Sequence, residues 1–232
     1  MRRRMVRHVD AHLQAQQLPT PVYAIAGSAP PLVPPGFSPR DFAVFLLHTG
    51  AEIEHVLMVQ YLYAAYSLGG AQVPPARRED VRRWQETILG IAKEEMGHLI
   101  TVQNMLRLLG APLNLERNDF PWDTPFYPFE FRLERLSRAS LARYIVTESP
   151  DQWPSDVPEK EEILALAVRG ERMAVHQVGK LYEQIIALIS DPAMIPDAAF
   201  QADTLPLQAR SIATLDVSVV CPSSRRGWRM IS

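Results

Sequence analysis

The chain has 232 residues, enough for one generous domain or a domain with appendages. With 47% apolar and 22% charged residues, it has the balance of a globular protein with a real core, not of a disordered or membrane-embedded chain. A formal net charge of −2 excludes a global electrostatic pull towards nucleic acid or an acidic membrane, and the basic clusters Arg2–Arg4 and Arg225–Arg226 read as solvated terminal charge.

A lone cysteine, Cys221, permits no internal disulfide. The basic start is followed by polar residues (His8, Asp10, His12) in place of an apolar signal segment, and no apolar run approaches the ~20 residues that cross a bilayer. The expectation is a cytoplasmic protein.

In chain order, residues 1–38 hold a short helical stretch and then a Pro-rich run (Pro19, Pro21, Pro30, Pro31, Pro34, Pro35), an extended arm in which no long helix is tolerated. Ser38-Pro39 is a start signal, with Ser as N-cap and Pro at the first helical position. The pattern predicts helix one over 39–68, stopped by Gly69-Gly70, and helix two over 76–109, stopped by Gly110 and Pro112. A long irregular crossover spans 110–138. Helix three follows to about 148, capped by Ser137 or Ser140 and closed by Pro150. Helix four runs over 159–190, and the tail 191–232 has no helical period, with Ile212–Val220 as a candidate strand. Hairpin, long crossover, hairpin describes an all-α four-helix bundle of 39–190 between an arm (1–38) and a tail (191–232).

Chemistry enters where ionisable residues interrupt apolar stripes. In helix two, Trp84, Ile88, Ile91, Val102, Met105 and Leu109 recur at helical spacing, and the middle of that stripe is occupied by Glu95 and His98. An unpaired buried carboxylate is costly, so it should be neutralised, paired or bound to a metal. Glu-x-x-His on an inward face is also how di-iron and di-manganese bundle proteins present two ligands from one helix. In helix one, Glu54 falls amid Leu47, Gly50, Leu57, Met58, Tyr61 and Ala65. The other helix-one stripe, His48, Glu52 and His55, reads as a solvated face. Helix three offers Glu148 after Leu141, Tyr144 and Ile145.

Helix four lacks a Glu-x-x-His. Glu171 lies on its stripe (Leu164, Val168, Val175, Val178, Tyr182, Ile189), whereas His176 lies off it unless a one-residue π-bulge intervenes. Glu183 is a third candidate. The bland alternative throughout is a buried Glu–His ion pair or polar network.

Ala51-Glu52-Ile53-Glu54-His55 running to Tyr61-Leu62-Tyr63-Ala64-Ala65-Tyr66-Ser67 resembles a known ferritin-like domain. So do Ile91-Ala92-Lys93-Glu94-Glu95-Met96-Gly97-His98, Asn104-Met105-Leu106 leading to Gly110, and Glu148-Ser149-Pro150. That domain is the one found in the iminophenyl-pyruvate dimer synthases of bisindole pigment and antibiotic pathways and in bacterial stand-alone relatives. The likeness covers roughly 40–190 and is most specific in helices one and two; His176-Gln177-Val178-Gly179 with Tyr182 is similar to the family's entry into its last helix. It implies a ferritin-like fold and a di-iron centre (two Fe ions, with Mn as the alternative) held by Glu54, Glu95, His98, Glu148 and His176. The chain departs from the pattern at Glu171–His176 and in its Pro-rich arm, and imine dimerisation is not expected of it alone.

The implied activity is O2-dependent oxidation of a small amino-acid-derived or secondary-metabolite substrate. Aromatic residues of the crossover (Phe120, Trp122, Phe126, Tyr127, Phe129) would form either a lid over a pocket or a plain hydrophobic cover. The rivals are an iron-binding or ferroxidase-type protein without an organic substrate, and a metal-free structural bundle. The expected partners are a small molecule and O2, with homodimerisation an option and neither nucleic acid nor membrane involved.

Overall fold

A computed structural model of the chain describes residues 32–117, 129, 131–149, 159–168, 178–201 and 203. Among these, five α-helices form the architecture: α1 (Pro39–Tyr66), α2 (Arg78–Leu108), α3 (Arg138–Glu148), α4 (Lys160–Ala167) and α5 (Val178–Ser190). Short 3-10 turns at Pro75–Arg77 and Asp197–Ala199 complete the set. The principal contacts are α1 on α2, α4 on α3, and α5 on α1. The expected fourth helix is thus described as two stretches, with residues 169–177 outside the described part.

Local chemistry fixes the ends of these helices. Ser38 accepts the Asp41 N–H at 3.1 Å, with Pro39 at the first position. At the end of α2, Gly110 takes φ +67°, a left-handed conformation cheap only for glycine. Ala111 N–H then reaches Leu106 O at 2.8 Å and Gly110 N–H reaches Arg107 O at 2.9 Å, a Schellman arrangement that satisfies the last carbonyls. The Arg40 guanidinium, from α1, donates to Leu109 O at the same terminus. Ser137 caps α3 and Ser140 bonds back in a capping box, so both candidate cap residues take part.

α1 is the central element, with Phe42, Leu46, Leu47, Ile53, Val56 and Leu57 buried. By length and composition alone it could cross a membrane. Its apolarity is instead that of a core helix wrapped by α2 and α5, with a carboxylate, Glu54, at its middle.

Three face assignments need correction. Trp84 is half-exposed, because it lies where α1 runs out: its neighbour Gln85 already bonds the carbonyl of Ala65, one residue from the end of α1. Tyr63 and Tyr66, in that last turn, are exposed for the same reason. On α3, Leu141 and Ile145 are exposed, and the buried side is Ala142, Tyr144 and Val146. The His48–Glu52–His55 stripe is not a solvated face: all three are half-buried, and Asn114 covers it by donating to His48 O at 3.1 Å.

The chain continues to pack after α5. Ile195 is fully buried, and Gln201 N–H donates to Leu108 O at 2.6 Å. Phe129 and Phe131 of the crossover are buried in the core as a hydrophobic cover, whereas Phe120, Trp122, Phe126 and Tyr127 lie outside the described residues. Sequence reasoning missed the anchor of this crossover. The Gln103 side chain accepts from Asn114 N–H at 2.8 Å and donates to Asn114 O at 2.6 Å, both residues being buried. Gln103→Ala leaves that backbone pair unsatisfied and should cost about 1–3 kcal/mol, read as a drop of the denaturant midpoint at unchanged m-value.

Candidate metal centre

Glu54 and Glu95 face each other across the α1–α2 hairpin because each sits at the middle of its helix's buried stripe. His98 follows Glu95 by three residues, less than one turn on, and adds its imidazole to the same place. His98 Nδ1 lies 3.3 Å from Glu54 Oε2 and 3.5 Å from Glu95 Oε2. One ligand atom from each of the three residues falls within 4.8 Å of the other two, and among the described residues no other group of His, Cys, Asp and Glu does so.

The carboxylates are almost closed off from solvent, with side-chain exposures of 2% for Glu54 and 4% for Glu95. Burial, opposed by the hydrogen bond to His98, pushes the Glu95 carboxyl up to about 8. The Glu54 and Glu95 carboxylates that face its imidazole push His98 up to about 11. Solvent reaching half of the imidazole surface weakens that pull without reversing it. Both shifts run in the same direction, so the centre holds its protons more tightly than the same groups would in water. Those protons stand where a cation would be.

Two tyrosine hydroxyls brace the carboxylates. Tyr182, on α5, donates to Glu54 Oε1, and burial together with the charge of Glu54 holds its own ionisation well above the usual phenol range. Tyr61, on α1, donates to Glu148 Oε1 at 2.9 Å. Glu148 as a residue is exposed, yet its carboxyl turns inward; burial and the charge of Glu95 raise it to about 7, a rise that its access to solvent moderates. It stands beside the three-residue cluster, not within it.

Of the sequence candidates, then, the structure brings Glu54, Glu95 and His98 together and sets Glu148 nearby. Glu171 and His176 lie outside the described residues. Glu183, on α5, is exposed and joins no such cluster. The bracing hydroxyls were missed. Gly50, a glycine inside α1 one turn before Glu54, was the available signal, since it marks a close approach.

The donor set fits a hard divalent ion. Carboxylate oxygens with imidazole suit Fe and Mn. Glu54 Oε2 is buried with no hydrogen-bond partner, an orphaned acceptor of the kind that a bound cation satisfies.

A family model described as ferritin-like matches residues 47–208, which is 162 of the 232 residues. The chain belongs to the ferritin-like family. This ferritin-like chain is 34% identical over 135 residues to the dichlorochromopyrrolate synthase of Lentzea aerocolonigenes, a match covering 49% of this chain and 13% of that protein. It is 29% identical over 180 residues to the 2-imino-3-(indol-3-yl)propanoate dimerase of Chromobacterium violaceum, covering 66% of this chain and 17% of that one. The chain therefore spans less than a fifth of the length of either relative. No solved structure gives a significant match. These relatives are of the kind that the motifs of α1 and α2 resemble, and the all-α bundle is that of the family.

Proposed function

We propose that this ferritin-like chain holds a di-metal centre, iron in preference to manganese, and oxidises a small amino-acid-derived or secondary-metabolite substrate with O2. The observation that carries the reading is the orphaned, buried Oε2 of Glu54, facing His98 and Glu95. Glu54, Glu95 and His98 would supply the first ligands, with Glu148 close by. Glu171 and His176 are the residues proposed to complete the set. Iron bound there supplies the electrons that reduce O2 and the oxidising power that acts on the substrate.

The chain's own residues prepare the place. Glu95 and His98 hold protons more tightly than in water, and a bound cation would take the place of those protons. Tyr61 and Tyr182 fix two carboxylates through hydroxyl donors. The packed α1 core keeps water from the far side of the site.

The substrate class is taken from the relatives, whose names describe an indolic imino acid as reactant and a dichlorinated chromopyrrolate as product. An aromatic 2-imino acid is the first class to test. Oxygen uptake by the Fe(II)-loaded chain should rise when such imino acids are added. Uptake that depends on Fe(II) alone, with no response to any of them, would favour the iron-binding reading.

Loading should also release protons. Isothermal titration with Mn(II) at pH 7, in two buffers of different ionisation enthalpy, should show about two protons leaving per site, from His98 and Glu95. Zero release would mean that these two groups are not displaced by the metal.

A further inference from the structure

Glycine inside a helix is less favourable than alanine, so Gly50, at the buried middle of α1, needs a reason. A Cβ built on Gly50 would sit 3.2 Å from the Tyr182 hydroxyl oxygen and 3.7 Å from Leu181 Cδ2. That first approach is tighter than nine in ten real Cβ contacts. Gly50 therefore leaves the slot through which the α5 phenol reaches α1.

The phenol ends on Glu54, four residues later on the same face, and donates to Oε1. The other oxygen, Oε2, is buried, has no hydrogen-bond partner and lies 3.3 Å from His98 Nδ1. The two oxygens of one carboxylate are thus distinguished. One is tied to a neutral donor from a third helix, and the other is left for whatever binds among Glu54, Glu95 and His98.

We infer that Tyr182 is the positioning residue for Glu54, holding Oε1 so that Oε2 is the oxygen presented to the metal, with Gly50 keeping the slot open. This rests on the metal-centre reading above. Without the hydroxyl, the carboxylate is free to turn about its last torsion, and Oε2 is no longer the oxygen held towards His98 and Glu95. Orienting groups of this kind are typically worth 10–100-fold in metal affinity.

The test is anaerobic titration of the full chain with Mn(II), following the free-ion EPR signal, together with the ligand-field absorption of the Co(II)-loaded protein. Tyr182→Phe keeps the ring and removes only the hydroxyl. It should weaken Mn(II) binding about 10-fold and alter the Co(II) spectrum. Gly50→Ala, which pushes the hydroxyl from its slot, should weaken Mn(II) binding in the same direction by a smaller factor. Tyr182→Phe binding Mn(II) within about twofold of wild type, with an unchanged Co(II) spectrum, would overturn the inference even if its metal-free melting temperature falls. Should that variant not fold, Gly50→Ala decides alone, and unchanged affinity overturns. A wild-type chain that binds neither ion defeats the metal-centre reading and this inference with it, whereas a Tyr182→Phe chain indistinguishable from a metal-binding wild type defeats this inference only.

Discussion

Glu95→Gln should reduce Fe(II) affinity by ~100-fold or more, beyond what loss of an outer-sphere group produces, while leaving the metal-free bundle folded. The substitution keeps the volume of a buried side chain and removes only its capacity to ionise. Glutamine offers a weaker, neutral oxygen to a hard cation, and the buried site no longer neutralises the ion's charge. Competition with a colorimetric chelator under anaerobic conditions measures the change. Without metal, the same variant should be the more stable protein above pH 8, because wild type must then ionise a carboxyl that burial and the nearby Glu54 charge disfavour. Retention of wild-type affinity by Glu95→Gln would remove Glu95 from the ligand set.

The metal-free wild type should lose stability as pH rises from about 5 to about 8. Glu95 has a folded-state value of about 8 against 4.5 when unfolded, so across this window the folded chain binds the proton that the unfolded chain has released. Raising the pH therefore favours the unfolded state. Glu148, raised to about 7, acts in the same sense. His98 is raised as well: its stabilisation is complete below 6.5 and fades as pH climbs towards about 11.

All three groups thus push in one direction, which is unusual, since acidic groups paired in a native state normally make stability rise with pH. The expected fall in melting temperature is on the order of 10 °C between pH 5 and pH 8, measured by calorimetry in the presence of chelator. Glu95→Gln should flatten the slope. Saturating metal should invert it, because protons then compete with the ion. A metal-free melting temperature that climbs over this range would contradict the electrostatics of the centre.

How far the sequence revealed this centre differs residue by residue. Glu54 and Glu95 were legible because helical periodicity assigns a face, and a carboxylate amid leucines, valines and alanines on that face has few cheap explanations. The glycine and cap signals located the ends of α1, α2 and α3 to within about two residues, as local backbone chemistry should. Trp84, Leu141 and Ile145 were misplaced for a different reason. Periodicity gives a helix's apolar face but not whether a neighbour extends far enough to cover it, and the hairpin is open at Trp84.

The bracing of the carboxylates left no sequence signal beyond the close approach that Gly50 marks. Tyr61 meets Glu148 across 87 residues of chain and Tyr182 meets Glu54 across 128, contacts that depend on how three helices dock. Tyr182 reads in sequence as one more member of an apolar stripe. Asn114, in a connection without periodicity, shows its role only once the loop folds back over α1 and α2. The contribution of the segment before α5, with Glu171 and His176, stands as a proposal on sequence grounds.

The most direct measurement is elemental analysis of the 232-residue chain after anaerobic loading with Fe(II) and desalting. The expectation is about two irons per chain, close to the stoichiometry of a di-metal bundle, and near-complete loss in Glu95→Ala and His98→Ala. A wild-type chain that emerges folded and without iron, like its two variants, would contradict it, leaving Glu54, Glu95 and His98 as a buried ion-pair network in a structural bundle.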